Sequence, residues 1–168
     1  MTAFLGGLMQ FFIPSHLLAV VALGLFAGQH AQRFPHAALG AFAIGLIAGS
    51  LMVASAIRQN PAALGLLMLA VAAASLVVLA WDVSNWLVGV MSFATGSALP
   101  LNAPPHEITI ANAVAAQAGL AVAAIAIVAL VMVIAMRATR PWQRIGVRIA
   151  GSWIAASAIL VLALRLAR

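Results

Sequence analysis

The chain is 168 residues long, 66% hydrophobic and only 6% charged, with a mean hydropathy of +1.20. Soluble domains carry about 25% charged residues and disordered chains are poor in apolar ones, so both classes are excluded. The net charge of +6 rests on eight arginines, no lysine and two acids, Asp82 and Glu107, a topology signal rather than a nucleic-acid surface, because no basic stripe or aromatic platform accompanies it.

At roughly 20 apolar residues per crossing, this pattern predicts an all-α integral membrane bundle of about six transmembrane helices, a single domain over residues 1–168. The first apolar stretch, residues 3–28, is interrupted only by Gln10, Pro14, Ser15 and His16. It is too long for a signal-peptide core and nothing basic precedes it, so it reads as mature structure. A second span covers residues 37–57 and ends at the Arg58-Gln59-Asn60-Pro61 turn; a third covers 62–81 and stops at Asp82. The fourth, 86–99, is short and carries Met91, Ser92, Thr95 and Ser97. Three prolines in residues 100–107 argue against a continuous helix there. The fifth span, 108–136, contains Asn112 and Gln117, which suit interhelical hydrogen bonds, and the sixth runs over 145–164. A β-barrel needs alternating segments of about ten residues, and the continuous apolar run at Leu64–Leu79 has no alternation.

Gly24 and Gly28, and Gly45 and Gly49, are spaced i, i+4. Each pair shares one helix face and lets a second backbone approach, where dispersion replaces the hydrophobic effect as the driving force. With six spans, Arg33, Arg137, Arg140 and Arg144 gather on one side, with Arg148 just inside the next helix; Arg58, Arg165 and Arg168 fall on the other. The positive-inside bias then places loop 137–144 in the cytoplasm and both termini outside it.

Polar groups at membrane depth carry the chemistry, since burying them unpartnered costs several kcal/mol. His16 is foremost: it follows Pro14 and Ser15 in the first span, where proline frees a backbone carbonyl and locally opens the helix. It reads either as an imidazole bonded to a neighbouring helix or as a ligand, and Met9, seven residues earlier, would point to nearly the same side. Met91 and Thr95 are one turn apart in the fourth span, and its hydroxyls either line a polar path or bond back to their own helix. His30, His36 and His106 lie in predicted loops. Catalysis is not expected: without cysteine there is no thiol nucleophile, without lysine no phosphate-binding loop, and no metalloprotease helix or nucleophile elbow is present.

The run Pro14-Ser15-His16-Leu17-Leu18-Ala19-Val20, followed by Ala22-Leu23-Gly24-Leu25-Phe26-Ala27, resembles the first helix of the hydrogenase/urease accessory proteins (HupE/UreJ), small bacterial inner-membrane permeases linked to nickel or cobalt. Gly96-Ser97-Ala98-Leu99-Pro100 looks like the end of that family's second, histidine-rich motif, and the order of six short spans with an Arg-rich loop also matches. In this register Met9 stands at the family's first histidine, Gln10 at its proline, Ile13 at its glycine and Ser15 at its aspartate. Met91, Phe93 and Thr95 stand at the three histidines of the second motif. Only His16 keeps the family's residue among the ligands.

The resemblance implies a multi-pass protein of the bacterial inner membrane, with no resident cofactor and a transition-metal ion as its transported species. It places His16, Met9, Ser15, Met91 and Thr95 along the metal path, where thioethers in place of histidines would favour softer ions such as Cu(I). The alternative reading is a non-transporting structural or assembly subunit of a larger membrane complex. Expected partners are the bilayer, other membrane proteins or further copies of the chain, and no nucleic acid.

Overall fold

The structure, a computed structural model, describes residues 2–10, 14–30, 35–54, 62–79, 83–103 and 109–167. Among these residues there are seven helices and no strand: α1 (Thr2–Gln10), α2 (Pro14–His30), α3 (Pro35–Ala54), α4 (Ala62–Leu79), α5 (Asn85–Asn102), α6 (Ile110–Met136) and α7 (Pro141–Leu166). Three of them, α3, α6 and α7, are long and apolar enough to cross a membrane. The six predicted spans are thus matched by three helices of that length and character. The apolar run of α4 is shorter, α2 has 17 residues, and α5 spends positions on serine, threonine, asparagine and proline.

The first predicted span is divided. Helix α1 stops at Gln10 and α2 begins at Pro14, whose fixed φ and missing N–H suit a first turn. Nine residues of α1 rise only about 14 Å, too little for a crossing. The fourth span is longer than its apolar stretch suggests. Helix α5 continues through Pro100 to Asn102, so Pro100, expected to begin a loop, lies in the last turn, where it removes one backbone donor without ending the helix. The sixth begins four residues before expectation, with Pro141 in its first turn and the Gln143 side chain accepting from the Arg140 N–H at 3.0 Å. Arg137 and Arg140 therefore lie between α6 and α7, whereas Arg144, expected in that loop, sits in the first turn of α7. Arg33, Arg58, Asp82, His106, Glu107 and Arg168 lie outside the described residues.

Helix α2 is the axis of the bundle and packs against α4, α5, α6 and α7. All residues from Ala22 to Gly28 are buried, the signature of a helix surrounded by others. Phe26 on α2 and, around it, Phe42, Leu66, Leu99 and Leu120 are fully buried at the centre. The outward faces are apolar as well: Ile44, Ile47 and Leu51 on α3, Leu130 and Ile134 on α6, and Trp153 and Leu160 on α7 all project outward. Water does not stabilise so extensive an apolar surface; hydrocarbon does.

Glycines set the closest approaches. A Cβ on Gly24 would lie 2.8 Å from the Val131 side chain, and one on Gly28 would meet Ala135 and the Met132 carbonyl, so this pair seats α2 on α6. Gly45 and Gly49 face the backbone of Phe93 and Ser97 on α5, and Gly96 answers from α5 against the Phe42 carbonyl. Both pairs picked out by their spacing are therefore contact faces. Gly7 and Gly119 do the same between α1 and α6, and Gly151 admits Val77 between α7 and α4.

Candidate functional site

The first turn of α2, the last turn of α5 and the N-terminal third of α6 bring four polar side chains together. Ser15 and His16 are buried, with His16 fully enclosed. Asn102, at the last position of α5, places its Nδ2 2.9 Å from His16 Nε2 and donates to Ser15 Oγ at 3.4 Å. An amide nitrogen only donates, so Nε2 accepts and the imidazole carries its proton on Nδ1. Beside this pair, Gln117 Nε2 donates to the Ala103 carbonyl at 3.2 Å. That carbonyl is left without a helical partner by the end of α5, and the Ala103 N–H closes the turn on the Pro100 carbonyl at 3.2 Å. Gln117 Oε1 is buried with no hydrogen-bond partner.

Of the residues placed along the metal path by sequence, Ser15 and His16 meet at Asn102, whereas Met9, Met91 and Thr95 lie apart from them. Met9 is on the outer surface of α1, 73% exposed, while His16 is fully buried. The break between Gln10 and Pro14 cancels the seven-residue register that would align them. Met91 is half-buried against the core, and Thr95 is buried with its hydroxyl bonded to the Met91 carbonyl at 2.8 Å. Thr95 and Met91 precede Asn102 by seven and eleven residues, about 10 and 16 Å along the helix. Ser92 is buried, and Ser97 donates to the Ala94 carbonyl at 3.0 Å. Of the α5 hydroxyls, those of Thr95 and Ser97 are thus spent on their own helix, the second of the two readings offered by sequence.

Among the described residues no three histidine, cysteine or acidic side chains are grouped as a metal site. His30 has its Nδ1 2.9 Å from the Phe26 carbonyl and its ring 4.8 Å from the Phe26 ring. His36 is exposed in the first turn of α3. Asn112 is exposed on α6. Among the arginines, Arg148 on α7 donates Nε to the Val78 carbonyl at 3.0 Å, satisfying one of the last carbonyls of α4 at the negative end of its dipole.

Asn102 is the functional residue that sequence reasoning misses. It sits two residues after a proline, in a segment whose composition reads as loop, and only the passage of the helix through Pro100 brings it to His16. No family model matches the chain, and no curated protein or solved structure matches it.

Proposed function

We propose that this chain is a multi-pass protein of the bacterial inner membrane, a divergent member of the HupE/UreJ type. In this reading it serves as a non-catalytic, non-transporting accessory or assembly subunit rather than as a metal conduit. Six membrane crossings are formed by α2 to α7, with α1 as a partial helix laid against α6. One observation carries the choice between the two roles. His16, the ligand residue shared with the family, directs Nε2 at the Asn102 amide 2.9 Å away, a bond that ties α2 to α5. An imidazole engaged in this way holds helices together, and neither thioether lies beside it to complete a ligand set.

The remaining polar groups support the same role, since Gln117 and Arg148 each satisfy a carbonyl at the end of another helix. Many large apolar side chains project outward from α3, α6 and α7, a surface suited to lipid and to flanking membrane helices. The test is uptake of nickel, cobalt, copper and zinc ions by proteoliposomes containing the purified chain. Uptake equal to that of empty vesicles is expected. Uptake above that level that disappears on His16→Ala would restore the permease reading.

A further inference from the structure

Positive charge gathers where α6 passes into α7. Arg137 closes α6, Arg140 stands directly before α7, and Arg144 and Arg148 follow within it; all four are exposed. No acid occurs among the described residues, and the whole chain has only two, Asp82 and Glu107. At least two of these four guanidinium groups therefore have no acid to pair with inside the chain. Arg144 and Arg148 are one turn apart on one face of α7, an arrangement of like charges that costs stability until an anion lies between them. Arg148 is already oriented. Its Nε donates to the Val78 carbonyl at 3.0 Å, which fixes the guanidinium plane and leaves its Nη groups for another acceptor.

Apolar surface adjoins each of these charges. Ile145 follows Arg144 and Ile149 follows Arg148, each about 100° farther round the helix, and both are exposed. Trp153 and Leu160 continue the exposed apolar surface along α7, away from the arginines. A ligand that fits this boundary is an amphiphile, with an anion between the two guanidinium groups and hydrocarbon running down the helix. In a bilayer that anion is a phosphate ester, whose oxygens match the planar donor fork of arginine. A zwitterionic headgroup would bring its own cation to the same arginines, so a headgroup of net negative charge is favoured. We propose that the start of α7 binds the phosphate of an anionic phospholipid between Arg144 and Arg148, with the acyl chains descending beside Ile149 and Trp153. Arg137 and Arg140 add attraction at longer range. The proposal rests on the membrane reading of the chain but not on its role as an accessory subunit.

The test uses the full chain in phosphatidylcholine nanodiscs doped with one of two photoactivatable probes. One is a phosphatidylglycerol and the other a phosphatidylcholine, with identical diazirine-bearing acyl chains. Labelled peptides are located by mass spectrometry, and membrane insertion is scored separately by resistance to carbonate extraction. Labelling of residues 145–160 should be about tenfold or more stronger for phosphatidylglycerol, since each arginine near a headgroup favours an anionic lipid by a factor of about five. Arg144→Gln and Arg148→Gln together should bring phosphatidylglycerol down to the level of phosphatidylcholine. Arg165→Gln, which removes an exposed arginine at the other end of the same helix, should leave the preference unchanged. Excess inorganic phosphate should not displace the lipid probe, because the acyl chains are held as well. Equal labelling by the two probes in the wild-type protein would overturn the proposal. An equal loss in Arg165→Gln would also overturn it, since net charge alone would then attract the lipid. Displacement by inorganic phosphate would make this a site for a free anion and overturn the lipid assignment. The probe comparison and the phosphate competition use the wild-type chain, so they decide the matter even if the double variant does not fold. A carbonate-extractable chain would instead sink the membrane reading itself.

Discussion

The Asn102 amide reaches His16 across 86 positions of sequence, with Nδ2 2.9 Å from Nε2. The fully buried imidazole, which would be costly without a partner, is satisfied here by a residue of another helix. The consequence is measurable as coupling. In a double-mutant cycle of His16→Phe and Asn102→Leu, the single variants should each lose stability and the pair should lose less than their sum. The interaction energy should be about 0.5–2 kcal/mol, the range of interhelical hydrogen bonds in membranes. Additive losses, followed by reversible unfolding in mixed micelles, would show that the two side chains do not interact.

Glycine substitutions should divide into two groups. Gly96 has the Phe42 carbonyl and the Leu46 nitrogen against the position a Cβ would take, while Gly65 and Gly40 have open space. Gly96→Ala should therefore destabilise the bundle by about 1–3 kcal/mol through forced separation of α3 and α5. Gly65→Ala should leave it unchanged or raise stability by up to about 1 kcal/mol, because alanine is the better helix former. Thermal unfolding of the two single variants checks the order. A neutral Gly96→Ala would mean that the helices are farther apart than described.

The four-residue glycine spacing is legible in the sequence because it depends on helix periodicity alone, whereas the partner helix is not. Nothing in Gly24 and Gly28 specifies α6, or in Gly45 and Gly49 specifies α5; those choices depend on which side chains interlock. The helical class is legible for the same local reason, as uninterrupted apolar runs. Two of the misread boundaries turn on Pro14 and Pro100. Pro14 opens a new helix where a single span is expected, and Pro100 is carried inside one where a loop is expected. Proline's local effect is the same in both, and tertiary packing determines whether the helix continues. That also explains why Met9 and His16 fail to meet, and why Asn102 is not legible as the partner of His16.

Arg148 offers a milder prediction. Its Nε bonds the Val78 carbonyl at 3.0 Å from an exposed position, so solvent or headgroups screen the interaction. Arg148→Met should lower stability by less than about 1 kcal/mol. Hydrogen exchange at the last turn of α4 should accelerate more than elsewhere; uniform acceleration would show that the arginine has no capping role.

Membrane topology provides an independent check on the helix count. Between Arg58 and Arg140 lie α4, α5 and α6, three crossings in the proposed arrangement. Reporter fusions after these two arginines should therefore lie on opposite sides, with the one after Arg140 in the cytoplasm, since arginine-rich segments resist translocation. Fusions found on the same side would require one of the three helices to remain out of the membrane.

The role of His16 is tested most directly by the melting temperature of the detergent-purified chain, wild-type and His16→Ala, with and without nickel, cobalt, Cu(I) and zinc ions. A structural histidine predicts a lower melting temperature for His16→Ala and no metal-dependent shift in either protein. A metal-dependent rise in the wild-type protein that vanishes in a well-folded His16→Ala would make His16 a ligand and contradict the accessory-subunit assignment.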